Sequence, residues 1–164
     1  MLSGLSQLFN RWRHGRGFGI HSPFAYRLIT EVLHQEMGYY AYLRMPGDEC
    51  YRTVFRIVLA LRPMSVALVG ADRYKRAVGE AMPGAVFVEP ADAGLIIVDG
   101  GAEPSFGLEA YPDKHVIALD YRCLPSWKGY KESMPYGMTF ANGGSMAVGV
   151  ALAHLPRQDF DVKF

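Results

Sequence analysis

Two periodicities follow one another along the chain. From Ser22 the apolar positions recur at helical spacing: Phe24, Leu28 and Val32, with Ala25, Ile29 and Leu33 beside them. That pattern predicts an amphipathic helix running to about Met37. Ser22 can cap it, and Pro23 suits the first turn, where its missing N–H would have no partner. Gly38 stops it, and Tyr39, Tyr40 and Tyr42 follow as an aromatic patch suited to packing. A second helix is expected from about Asp48 to Leu61. Its apolar stripe is Tyr51, Val54, Phe55, Val58 and Leu59, with Asp48, Glu49, Arg52, Thr53 and Arg56 mostly on the other side and Pro63 as its stop.

From Ser65 the helical period gives way to short unbroken apolar runs, as expected of strands buried on both faces. Val66 to Val69 ends on Gly70, Ala85 to Val88 on Glu89, Leu95 to Val98 on Asp99, and Val116 to Leu119 on Asp120. Helical segments are expected between them over 72–82, weakly over 106–111, and over 127–134. Strands alternating with helices argue for an α/β fold whose sheet is mostly parallel, with helices on both faces. The end differs. Met138-Thr139-Phe140 and Met146 to Leu152 flank Asn142-Gly143-Gly144, which can supply the positive φ angles of a tight turn, so a β-hairpin is expected. Phe160, Val162 and Phe164 alternate with Asp159, Asp161 and Lys163, the pattern of a half-buried closing strand, expected to be antiparallel.

One connection strains this reading. Only Pro90 to Gly94 separate Glu89 from Leu95, whereas a parallel return normally takes a dozen or more residues. About six extended residues reach roughly 20 Å. Residues 85–88 therefore form a very short edge strand, an antiparallel one, or no strand.

At 164 residues, half of them hydrophobic, the chain is expected to be one domain with a real core. Residues 1–63 would supply N-terminal helices and a basic loop, and 64–164 the α/β core. The net charge of +1 argues against a nucleic-acid binder by bulk charge. The one local bias is Arg11-Trp12-Arg13-His14-Gly15-Arg16, read as a basic surface loop, with an anion, nucleic-acid or membrane contact as the sharper alternative. Leu2, Leu5, Leu8, Phe9 and Trp12 sit at helical spacing and suit docking on the domain or a partner, or else a membrane surface. Cys50 and Cys123 lack CxxC partners and fit reduced thiols. No apolar run is long enough to span a membrane. The cytoplasm is the expected compartment.

Ligands of open parallel sheets bind beyond the carboxyl ends of the strands. Gly70, Glu89, Asp99 and Asp120 occupy those ends, and an acid closing the second strand suits the two hydroxyls of a ribose. The glycine loop is incomplete. Gly70 supplies one position without a side chain, but Asp72, Arg73 and Tyr74 fill those where further glycines would be needed. The five histidines show no metal-ligand spacing. His21-Ser22-Pro23-Phe24 reads as a capping turn.

These pieces, taken together, resemble a known family. "HGRGFGIHSPFAYRLITEV" (14–32), followed by a helix ending in Leu61-Arg62-Pro63, is similar to the N-terminal signature of a Bacteroidetes-type group of class I methyltransferases. Those proteins are related to catechol-type O-methyltransferases and use S-adenosylmethionine (SAM). "SVALVG", "AVFVEP", "GLIIVDGG", "HVIALDYR", "YGMTFANGGSMAVGVA" and "FDVKF" match the later strands in order, so the resemblance covers most of the chain. It implies a Rossmann-like methyltransferase sheet, with Gly70, Glu89 and Asp99 as cofactor-binding residues and Asp99 and Asp120 as the acids holding a divalent metal in metal-dependent members. The departures lie in the cofactor site. Leu68 stands where an acid usually begins the glycine motif, Tyr74 stands at the later glycine, and Tyr121 stands where a second metal-side Asp or Asn would follow Asp120. The helix–strand–helix stretch that supplies adenine contacts is missing between Glu89 and Leu95.

The expectation is a compact, degenerate methyltransferase fold that has lost SAM binding and catalysis. It would act by interaction or regulation, as a homodimer or with a protein partner. The alternative is an active minimal SAM-dependent O-methyltransferase acting on a small molecule, in which Asp99 and Asp120 orient a metal or a substrate hydroxyl.

Overall fold

The computed structural model describes residues 20–164. The spacing of Leu2 to Trp12, the basic segment 11–16 and the start of the N-terminal signature lie outside the described residues.

The first helix, α1 (Pro23–Arg27), starts as its sequence dictates, with the Ser22 side chain accepting the Ala25 N–H at 3.3 Å. It runs on as a wider helical segment, Leu28–Leu33, and stops four residues short of the expected Met37. The reason lies on α2 (Glu49–Leu61), whose Arg56 donates from Nε to the Val32 carbonyl (2.8 Å) and from Nη2 to the Leu33 carbonyl (3.3 Å). A helix leaves its last carbonyls without partners, and a guanidinium from the neighbouring helix takes two of them. Arg56 also meets Glu49 and Thr53, each at 2.9 Å, and is only 5% exposed. The sequence pattern places Arg56 and Thr53 on the polar side; both are buried, because the carbonyls that Arg56 serves belong to another element. The rest of α2 follows its stripe. Asp48 caps it by accepting the Cys50 N–H at 2.8 Å, and Val54, Phe55, Ile57 and Val58 are buried, each worth about 1.5–3 kcal/mol. Tyr42 packs edge-on against both Tyr39 and Phe55, and Tyr39 lies tilted against Phe55, while Tyr40 stays exposed.

Seven strands form one sheet: β1 (Ser65–Val69), β2 (Val86–Phe87), β3 (Leu95–Asp99), β4 (His115–Leu119), β5 (Met138–Asn142), β6 (Met146–Val150) and β7 (Gln158–Asp161), in the order β2-β1-β3-β4-β6-β5-β7. β2, β1, β3 and β4 are mutually parallel, and β6 runs antiparallel to both β4 and β5. The α/β class, the mostly parallel sheet and the C-terminal hairpin all match the sequence reading.

Both faces are covered. Val66, Leu95, Ile97, Ile117 and Leu119 pack under α1, α2 and α3 (Lys75–Ala81). Ala67, Ile96, Val98, Val116 and Ala118 pack under Leu108 and under Trp127, Tyr130 and Met134 of the α4 region (Ser126–Ser133). Of the weak helical segment at 106–111, a single turn forms, Leu108–Ala110.

The doubtful connection has a simple geometry. β2 is two residues long and parallel to β1, with Phe87 level with Val66; Leu95 of β3 is also level with Val66. The chain therefore has almost nothing to climb back. It crosses two strand spacings, about 10 Å, and a single turn at Pro90–Asp92 suffices. Ser65 anchors that turn, donating to the Asp92 carbonyl and accepting the Gly94 N–H.

The closing strand corrects an expectation. β7 pairs parallel to β5, with Met138 opposite Gln158 and Ala141 opposite Asp161. β6 ends beside the start of β5, and its other flank is taken by β4. The next strand must cross to the free edge of β5, which it enters from the same end, and so it runs parallel. The alternation itself holds, with Val162 buried between exposed Asp161 and Lys163. Among the described residues, no helix is long and apolar enough to cross a membrane.

Candidate functional site

β1, β3 and β4 deliver Gly70, Asp99 and Asp120 to one end of the sheet. Gly70 has φ +62°, which favours glycine, and its missing side chain is used by the chain itself. A Cβ there would lie 2.8 Å from the Ala102 Cβ and 2.8 Å from the Glu103 Cγ. The loop after β3 thus packs directly onto the loop after β1. Asp99 holds that loop in place: its backbone carbonyl accepts the N–H groups of Ala102 (3.1 Å) and Glu103 (2.8 Å), and its Oδ1 accepts the Gly101 N–H at 3.0 Å.

The other carboxylate oxygen of Asp99 is also engaged. Arg73 Nη2 donates to Oδ2 at 3.0 Å, and the guanidinium lies 4.9 Å from the centre of the Tyr74 ring. Asp99 is 7% exposed, so its charge sits where a cation is needed, and Arg73 provides one. Partial burial would lower the Arg73 pKa, but the Coulombic influence of Tyr74 and Asp99 outweighs it and raises the pKa above the ordinary arginine value.

Tyr74 does not point into ligand space. It is 1% exposed, its ring tilted against Tyr51 at 4.6 Å between centroids, with its hydroxyl 3.1 Å from Cys50 Sγ. Burial first, then the contact with Cys50, pushes its phenol far above the usual range. Burial likewise pushes the Cys50 thiol up, against the lowering effect of the Tyr74 hydrogen bond. The thiolate is the reactive form, so the two cysteines should separate cleanly. With a chromogenic disulfide at about pH 8, exposed Cys123 is expected to react at least about tenfold faster than Cys50, which needs higher pH to respond. Two thiols reacting together would contradict the Cys50–Tyr74 packing.

Asp120 has a left-handed backbone (φ 44°) and is exposed. Its Oδ2 and Oδ1 of Asp99 lie 3.5 and 3.3 Å from where a Cβ on Gly101 would stand, so the two carboxylates face the same glycine. No group of three or more His, Cys, Asp or Glu side chains placed to hold a metal occurs among the described residues. Glu89 follows the edge strand β2, on the opposite side of β1 from Asp99 and Asp120. β2 ends at the level of Val66, and Glu89 comes two residues later. Glu89 is exposed and lines a groove of about 460 Å³ with Leu68, Asp72, Lys75, Phe87 and Val88; Asp99 is not in that lining.

Of the four strand-end residues, the fold brings Gly70, Asp99 and Asp120 to adjacent strand ends and places Glu89 after the neighbouring edge strand β2, in a groove with Leu68 and Asp72. Sequence reasoning missed the role of Arg73, read only as a side chain where a glycine should be. The available signal was a cation just after one buried strand and an acid closing another, in strands that prove to be neighbours. It also missed Ala102 and Glu103, small and flexible enough to lie over a glycine.

No known protein-family model matches the chain, and no curated protein matches it.

Proposed function

We propose that this chain is a shortened methyltransferase-like protein that does not bind SAM, its ligand end closed by its own residues, and that it acts through contacts with other proteins. The observation that carries this reading is the closure itself: Ala102 and Glu103 lie over Gly70, while Arg73 occupies Asp99. A bound nucleoside cofactor would need the backbone of Gly70 bare, and a divalent metal would need the Asp99 oxygens that Arg73 and Gly101 use. The residues as arranged fit neither group. The sheet order, with an antiparallel hairpin beside four parallel strands, supports a Rossmann-like methyltransferase sheet shortened at β2. Leu68 in place of an acid agrees with it.

One observation favours the alternative of an active minimal methyltransferase. Tyr74 is turned into the core, and the groove beside Leu68 has the volume of a small-molecule pocket. In that reading Arg73 must leave Asp99 before Asp99 and Asp120 can orient a hydroxyl nucleophile. Thermal unfolding with about 1 mM SAM or its demethylated product decides between them. A dissociation constant near about 10 µM would stabilise the fold by about 2.7 kcal/mol, a rise of roughly 5–10 °C. We expect no rise; a rise of that size would overturn the reading.

A further inference from the structure

The two edges of the sheet are built differently. The outer strand β7 carries Gln158, Asp159 and Asp161 exposed, with Lys131 paired to Asp159 at 3.3 Å. Charges of this kind keep an edge from pairing with another chain. At the β2 edge, only two residues long, the exposed strand positions are apolar instead. Val86 is 57% exposed, Phe87 40%, and Met64, just before β1, 73%. The N–H groups of Val86 and Val88 face β1, bonding the carbonyls of Met64 and Val66 at 3.0 Å. The N–H and C=O of Phe87, between them, therefore project out of the sheet.

The charges beside this edge are of both signs. Asp72, Lys75 and Glu89 line the adjoining groove, and Lys75 Nζ sits 5.1 Å over the Phe87 ring. Among the described residues, no ion pair engages any of the three. A partner of a single charge sign would satisfy one sign here and oppose the other. A patch with an apolar centre and both signs around it is complemented by itself: under a two-fold axis, Lys75 of each copy can meet carboxylates of the other.

We propose that the β2 edge is a self-association surface, with two copies joining edge to edge across a two-fold axis at Phe87. The two strands run antiparallel there and exchange the outward N–H and C=O groups of Phe87. Val86, Phe87 and Met64 form the dry centre, and Lys75 faces Asp72 and Glu89 of the second copy at the rim. This proposal stands apart from the SAM question, since its readout is mass and not ligand binding.

Sedimentation velocity of the full chain at about 5–100 µM tests it. The expected species has twice the monomer mass of 18.2 kDa. Val86→Lys, a change at an exposed position, is expected to give a monomer with an unchanged circular dichroism spectrum. Lys75→Glu is expected to weaken the dimer about tenfold, and the double variant Lys75→Glu/Glu89→Lys to restore it. A wild-type monomer throughout would overturn the proposal, as would a dimer that survives Val86→Lys or a charge swap that restores nothing.

Discussion

Arg56→Ala is expected to destabilise the fold by about 2–5 kcal/mol. Arg56 closes the C-terminal end of the first helical segment from a neighbouring helix, donating to the carbonyls of Val32 and Leu33 while meeting Glu49 and Thr53. Glu49 is exposed and can return to water. The Thr53 hydroxyl is buried and the two carbonyls sit at the helix–helix contact, so they lose partners that water cannot readily replace. The buried stem of the arginine leaves a cavity as well. In urea, the midpoint should fall by about 1–2 M. Arg56→Lys should recover only part of this, because an ammonium cannot present the planar fork that reaches both carbonyls. A loss below about 0.5 kcal/mol for the alanine variant would mean that the helix end is held by something else.

Gly137→Ala is expected to be nearly as costly, by a different route. Gly137 has φ +117°, and a Cβ there would lie 2.2 Å from the Val150 carbonyl oxygen and 3.0 Å from the Ala151 Cα. Both neighbours are backbone of the adjoining strand and its exit, so neither can rotate away. Backbone strain of about 1–3 kcal/mol adds to crowding of a similar size. The same residue holds the turn into β7, donating to the Leu155 carbonyl and accepting the Gln158 N–H. The melting temperature should drop by about 10 °C. Gly79→Ala is the matched control: it lies inside α3 with no atom beyond its own helix backbone within 4 Å of the added methyl, and should be neutral or gain about 0.5–1 kcal/mol. Equal effects at the two glycines would contradict the geometry at Gly137.

Much of the fold was legible because its signals are local. The cap at Ser22-Pro23, the stripe of α2, the four short apolar runs and the Asn142-Gly143-Gly144 turn each fit within one element, where side-chain period and turn chemistry decide the outcome. What was not legible depends on which elements become neighbours. The parallel sense of β7 follows from β4 occupying the far side of β6, which no residue near Phe160 announces. Arg56 reads as a solvent-facing cation in the sequence because its acceptors lie at the end of the preceding helical segment. The two-residue length of β2 resolves the short connection, but the run Ala85 to Val88 reads as a longer strand.

The candidate site divides the same way. Strand-end positions could be read from the sequence: Glu89, Gly70, Asp99 and Asp120 close or follow β2, β1, β3 and β4, which are neighbours in the sheet. What fills the space above them could not, because it depends on a loop about thirty residues downstream of Gly70 folding back over it. Tyr74 shows the limit of position-by-position reading. It stands where a ligand would need room, yet its ring turns inward to Tyr51 and Cys50, and its neighbour Arg73 occupies the seat on Asp99.

Calorimetric titration of the folded protein with SAM, and separately with its demethylated product, each with and without magnesium, tests whether the chain closes its own ligand end, as proposed. No heat of binding is expected up to high micromolar ligand. Saturable binding at micromolar strength would contradict it, since SAM would then have displaced Arg73 from Asp99 and the loop from Gly70.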